Sequence, residues 1–172
     1  MSLQRFRFLI RCIRFDDLDT RIERKVTDKF SSFREIFDLF INNCKNNYSI
    51  GEFGTIDETL VAFRGRCPFK MYIPSKPAKY GIKVFSLVDA KMSYTYIICY
   101  IVYAGKQPPG YFDISNKPED VVKRLCEPVF GTNRNITFDN WFTSNNLVQT
   151  MLLSHKLTIV GTIRKNKREL PT

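Results

Sequence analysis

Near Tyr48 the apolar residues change period, and that switch constrains the fold more than any other feature of the chain. Before it, Leu3, Phe6, Leu9, Ile10 and Ile13 recur at steps of three and four, the mark of one helical face, with Ser2 placed to cap it. Ile22, Val26, Phe30, Phe33, Phe37, Phe40, Ile41 and Cys44 repeat the pattern and predict one second helix, with Thr20 at its N-cap. The acidic turn Asp16–Asp19 joins the two into a hairpin-like arm over residues 1–50. After Tyr48, β-branched and aromatic runs predict strands at Leu60–Phe63, Phe69–Ile73, Ile82–Val88 and Tyr94–Tyr103, separated by prolines and glycines. A helix is expected from Pro118 to about Glu127, because proline suits a first helical turn and Glu119 and Asp120 suit its positive end. A strand Asn135–Phe138, a helix from Asn145 to Leu153 capped by Ser144, and a strand Leu157–Ile163 complete the order. Strands alternating with helices imply an α/β or α+β fold, a mixed sheet covered by helices.

With 172 residues, such a sheet can bury a core without disulfides or metals. No run of eighteen uncharged apolar residues exists, which excludes a membrane-spanning helix, and no membrane partner is expected. Arg11 and Arg14 interrupt what would be a signal-peptide core, so the expectation is an intracellular protein. The net charge is +10 and is spread along the whole chain, which suits a body that meets a polyanion such as nucleic acid. Five cysteines stand far apart with no CxxC pair, and His155 is the single histidine, so a zinc finger within the chain is excluded. The cysteines are expected to be buried small apolar residues. Neither a phosphate-binding loop nor a nucleophile–histidine triad is present, and no small-molecule substrate is expected.

Two aspartates end apolar strands, Asp89 after Ile82–Val88 and Asp139 after Ile136–Phe138. Ligands of open α/β sheets collect at strand C-terminal tips. If the two strands are neighbours, their carboxylates converge and call for a divalent cation such as Mg²⁺. The alternative is that each merely caps the element after it. Asp57 and Glu58, ahead of Leu60, are a third acidic spot, either carboxylates that support the metal site from behind or a simple turn, with the structural role favoured; Trp141 with Phe142 reads as core, with stacking on a base as the lesser alternative. Arg64, Arg66, Lys70, Lys76, Lys79 and Lys83 fall in a stretch without an acid, interleaved with Phe69, Tyr72 and Tyr80. That run is either a DNA-backbone surface or a solvated strand face. Arg164, Lys165, Lys167 and Arg168 form a second basic cluster near the C-terminus.

The strings IDETLVAFRGRCPFKMYIPSKPAKYGIKVFSLVDA (Ile56–Ala90) and NITFDNWFTSNNLVQTMLLSHKLTIVGTIRKNKRELP (Asn135–Pro171) resemble the core of piggyBac-type transposases. RFRFLIRCIRFDD (Arg5–Asp17) resembles the region that precedes that core. The resemblance implies an RNase H-like fold and cut-and-paste transposition by three aspartates with Mg²⁺. Double-stranded DNA would be the partner, at transposon ends and TTAA targets, with hairpin intermediates. It implies Asp89 and Asp139 as the first two catalytic and metal-binding aspartates, a homodimer and a nuclear location. Residues 1–50 would belong to the dimerisation and DNA-binding region, and 51–172 to an incomplete catalytic domain. The family's third aspartate, insertion domain and cysteine-rich zinc module match no part of this chain. The expectation is therefore weak metal binding and no activity of the chain alone, or else a non-catalytic DNA-binding or interaction module.

Overall fold

The computed structural model describes residues 1–92 and 97–165, with the backbone alone for 97–101. Helix α1 (Leu3–Cys12) begins where Ser2 accepts a hydrogen bond from the Arg5 amide, as the spacing predicts. None of its residues is buried, and Leu3, Phe6, Leu9 and Ile10 face solvent. The second helical stretch is two helices, α2 (Arg21–Thr27) and α3 (Ser31–Asn47). Periodicity alone reads straight through the break. The chain stops at Asp28 because its carboxylate accepts the Phe30 amide at 2.9 Å, a local bond that competes with the helix. Thr20 makes no capping bond; its hydroxyl donates to Asp17 and accepts from Arg24. Arg21 and Arg24 both pair with Asp16, which folds the turn back onto α2.

Strand β1 spans Phe53–Ala62, β2 Met71–Tyr72, β3 Tyr80–Asp89 and β4 Ile97–Val102. Helix α4 (Pro118–Cys126), strand β5 (Asn135–Phe138), helix α5 (Asn145–His155) and strand β6 (Thr158–Gly161) follow. β1 starts well before the expected Leu60, because Asp57 and Glu58, poor strand formers, hide an alternation in which Gly54, Ile56 and Leu60 are buried. The expected strand Tyr94–Tyr103 starts outside the described residues. Phe69–Ile73 shrinks to the two residues of β2, held on the edge of β3.

The sheet order is β2–β3–β1–β5–β6, with β4 also paired to β3. β3 runs antiparallel to β1, β2 and β4, whereas β1, β5 and β6 run parallel. Gly81 lies opposite Ala62, and a Cβ there would sit 2.3 Å from the Val61 carbonyl oxygen, so only glycine admits this close approach. On one face, Ile56, Phe85, Leu87, Ile136 and Phe138 meet Val121, Val122 and Leu125 of α4 and Leu147 and Met151 of α5. Ser144 caps α5 through the Leu147 amide, as expected. Trp141 stacks on Phe85 at 5.4 Å, with Phe142 buried beside it. Of the cysteines, Cys126 is buried, Cys44 and Cys67 are half-buried and Cys12 is exposed; the Cys99 side chain lies outside the described residues.

Candidate functional site

Strand direction decides which carboxylates meet. The parallel register of β1 and β5 pairs Ile56 with Phe138, both buried in the core. The next residue of β1 is Asp57, on the face opposite Ile56, and the next residue after β5 is Asp139, at the start of the turn that follows the strand, so the ladder brings the two close to one another. Both are exposed. Asp57 accepts the Glu58 amide at 2.7 Å and Asp139 the Trp141 amide at 3.0 Å, each through Oδ1. Among the described residues neither joins an ion pair, and neither Oδ2 has a hydrogen-bond partner. Two adjacent carboxylates without a neutralising side chain are hard oxygen donors, and they fit a magnesium-type cation. No group of three or more His, Cys, Asp or Glu that would hold a metal occurs among the described residues.

Asp89 does not belong to this pair. It ends β3, which runs against β1, so its strand tip lies at the other edge of the sheet, opposite Gly54. That is three residues, roughly 10 Å, from Asp57 along β1, and two strands away from Asp139. It also shares the core face with Leu87. At 6 % exposure it accepts the Gly51 amide at 2.8 Å, the Lys91 amide at 2.9 Å and the Tyr48 hydroxyl at 3.1 Å. These bonds tie the end of α3 to the end of β3. The expected convergence of Asp89 and Asp139 is thus replaced by that of Asp57 and Asp139. A signal for it stands in the sequence: Thr55-Ile56-Asp57 and Thr137-Phe138-Asp139 repeat one tripeptide pattern.

The Gly51 amide holds the Asp89 carboxyl below its ordinary 3.8 against the opposing effect of burial, and the Lys91 amide, the Tyr48 hydroxyl and the Met92 amide add to it. A depressed carboxyl contributes stability that is full above its unfolded value and disappears as pH falls through its folded value. Asp89→Asn is expected to cost about 1–3 kcal/mol at pH 7. Urea denaturation should show that difference shrinking below pH 4. A difference constant from pH 7 to pH 3 would show that the charge of Asp89 contributes nothing.

β1 and β6 leave the sheet at the same edge as β5, so residues 63–79 and 162–165 emerge on the side of Asp57 and Asp139. Arg64, Arg66, Lys70 and Lys79 are exposed. Lys76 is different: it is half-buried, donates to the Glu58 carbonyl at 3.1 Å and lies 3.5 Å from the Glu58 carboxylate, which neutralises it. Lys83 sits over the rings of Phe85 and Trp141, 4.8 Å from each, and serves packing. Arg164 and Lys165 are exposed, and Arg164 reaches Asn140 at 3.4 Å. Lys167 and Arg168 lie outside the described residues. A cleft of about 430 Å³ between the first turn of α4, Trp141 and Arg164 opens beside the Asp139 turn.

A family model described as Transposase IS4 matches residues 1–172. The human PiggyBac transposable element-derived protein 3 is 26 % identical over 143 residues, covering 81 % of this chain and 23 % of its own length. The human Chimeric ERCC6-PGBD3 protein is 26 % identical over 143 residues, 81 % of this chain and 13 % of its own. The chain thus spans about a quarter or less of these relatives. Among solved structures, a chain in the cryo-EM structure of a piggyBac transposase synaptic complex with hairpin DNA is 49 % identical. That match covers 99 % of this chain and 35 % of the solved one, with a TM-score of 0.85. The mixed sheet with flanking helices is the fold the sequence resemblance implies.

Proposed function

Since this chain belongs to the Transposase IS4 family, of the piggyBac type, we propose that it is a DNA-handling segment of a cut-and-paste transposase, with Asp57 and Asp139 as two ligands of its magnesium site. The observation that carries the reading is the placement of Asp57 on β1 next to Asp139, just past the end of the adjacent parallel β5, on the side toward which the basic segments emerge. Mg²⁺ held there would supply Lewis-acid chemistry at a scissile phosphodiester. The chain's own contribution is to fix both carboxylates on a rigid sheet, while Arg64, Arg66, Lys70, Lys79, Arg164 and Lys165 bind and orient the phosphates. Two carboxylates alone hold a cation weakly, so cleavage is expected only where a third ligand completes the site. A TTAA target, a homodimer and a nuclear location accompany this reading, supported by the family likeness alone.

The chain's +10 charge favours a second reading, a DNA-binding module without chemistry. Both readings require DNA binding, so that is tested first. Duplex affinity is expected to fall steeply with salt, and Arg64→Gln with Arg66→Gln should lower the log–log slope by about 2 without altering sequence preference. Absence of duplex binding at low salt would remove both readings. Cation-dependent strand cleavage separates them.

A further inference from the structure

Tyr72 and Tyr80 are a cross-strand pair at the tip of the β2–β3 hairpin, with ring centroids 4.7 Å apart and planes tilted by 35°. Both are exposed, 55 % and 54 %, so the paired rings present an aromatic surface to solvent. Four cations lie close to them along the chain. Lys79 precedes Tyr80, and Lys70 lies two residues before Tyr72. Arg64 follows Phe63, whose amide donates to the Tyr80 carbonyl, and Arg66 lies two residues beyond. Among the described residues none of the four has an acidic partner.

Register also fixes which face the pair occupies. Ser86 is opposite Asp57, and Tyr80 is six residues from Ser86 on the same strand, so Tyr80 shares the face of Asp57. Six residues of strand span roughly 20 Å, the length of about six stacked nucleotides. Resting on the DNA reading above, we infer that Tyr72 and Tyr80 form a stacking platform for unpaired bases of a DNA strand whose backbone leads to the carboxylate pair. Arg64, Arg66, Lys70 and Lys79 hold its phosphates. Duplex DNA has no free base faces to offer the rings, so the platform acts on single-stranded or frayed DNA. A pair that only stabilises the hairpin would affect both forms of DNA alike.

The test measures fluorescence anisotropy of a labelled 20-nucleotide single strand and of the matching duplex, with the intact protein. Tyr72→Ala and Tyr80→Ala are each expected to weaken single-strand binding about 10-fold or more, and duplex binding less than about 2-fold. Tyr72→Phe and Tyr80→Phe should keep wild-type affinity, since the ring and not the hydroxyl stacks. Unchanged single-strand affinity in the alanine variants, or an equal loss on single strand and duplex, would overturn the platform while leaving the DNA reading intact. A wild-type protein that binds neither probe removes that reading and the platform with it.

Discussion

Asp57→Asn and Asp139→Asn are each expected to abolish cation binding, read as loss of the bound Mn²⁺ signal in titration calorimetry or electron paramagnetic resonance. Asp89→Asn should leave it intact. Where a third ligand completes the site, the same two substitutions should lower cation-dependent nicking of transposon-end DNA by about three orders of magnitude, the loss expected when several kcal/mol of charge stabilisation disappear. The contrast follows from geometry. Asp57 and Asp139 stand near each other and, among the described residues, neither has a cationic partner, so each lost charge removes half of an acidic pair. Asp89 already spends its carboxylate on the Gly51 and Lys91 amides and the Tyr48 hydroxyl at the opposite edge. A folded Asp89→Asn protein that has lost Mn²⁺ binding, beside an Asp57→Asn protein that retains it, would reverse the assignment.

The second large effect concerns the joint between the helical arm and the sheet. Asp28 is 2 % exposed and accepts Arg34 Nε at 2.8 Å, the Phe30 amide at 2.9 Å and Gln107 Nε2 at 2.6 Å. Gln107 in turn accepts the Lys29 amide at 3.0 Å, so residues far apart in sequence close one network. Burial by itself pushes the Asp28 carboxyl up, but the Arg34 hydrogen bond, the Phe30 amide, the Arg34 charge and Gln107 together hold it below its ordinary value. Asp28→Ala strands Arg34 and Gln107 and is expected to cost about 3 kcal/mol, near the lower end for a broken buried pair because Arg34 keeps some solvent. For a domain of this size the unfolding midpoint should drop by roughly 6–12 °C in calorimetry. Asp28→Ala combined with Arg34→Met should recover part of the loss, since no unpaired charge is left. A midpoint shift below 2 °C would show that the network does not hold the arm.

The same residues show how much could be read in advance. Helix α4 was legible because Pro118, Glu119 and Asp120 are start signals within one turn. β5 was legible to the residue because turn-forming residues bracket a short apolar alternation. Lys76 and Arg64 look alike in the sequence, but the fold brings Glu58 of β1 to Lys76 alone. Asp57 stands out only as an acidic spot that a turn or a supporting carboxylate explains, since local propensity does not record that β5 will end beside it.

What the sequence determined by itself was set mostly by hydrogen bonds and contacts within about one helical turn or one strand. That includes the caps at Ser2 and Ser144, the apolar faces, the strand end at Asp139 and the long strings that carry the family likeness. Only the tertiary structure decided the direction of β3, and with it that Asp89 ends at one edge of the sheet while Asp57 meets Asp139 at the other. It also decided that the locally set break at Asp28 is tied to Gln107, 79 residues away. Direction and register are properties of strand pairs, fixed by which side chains share a buried face, and a single strand carries no record of its partner.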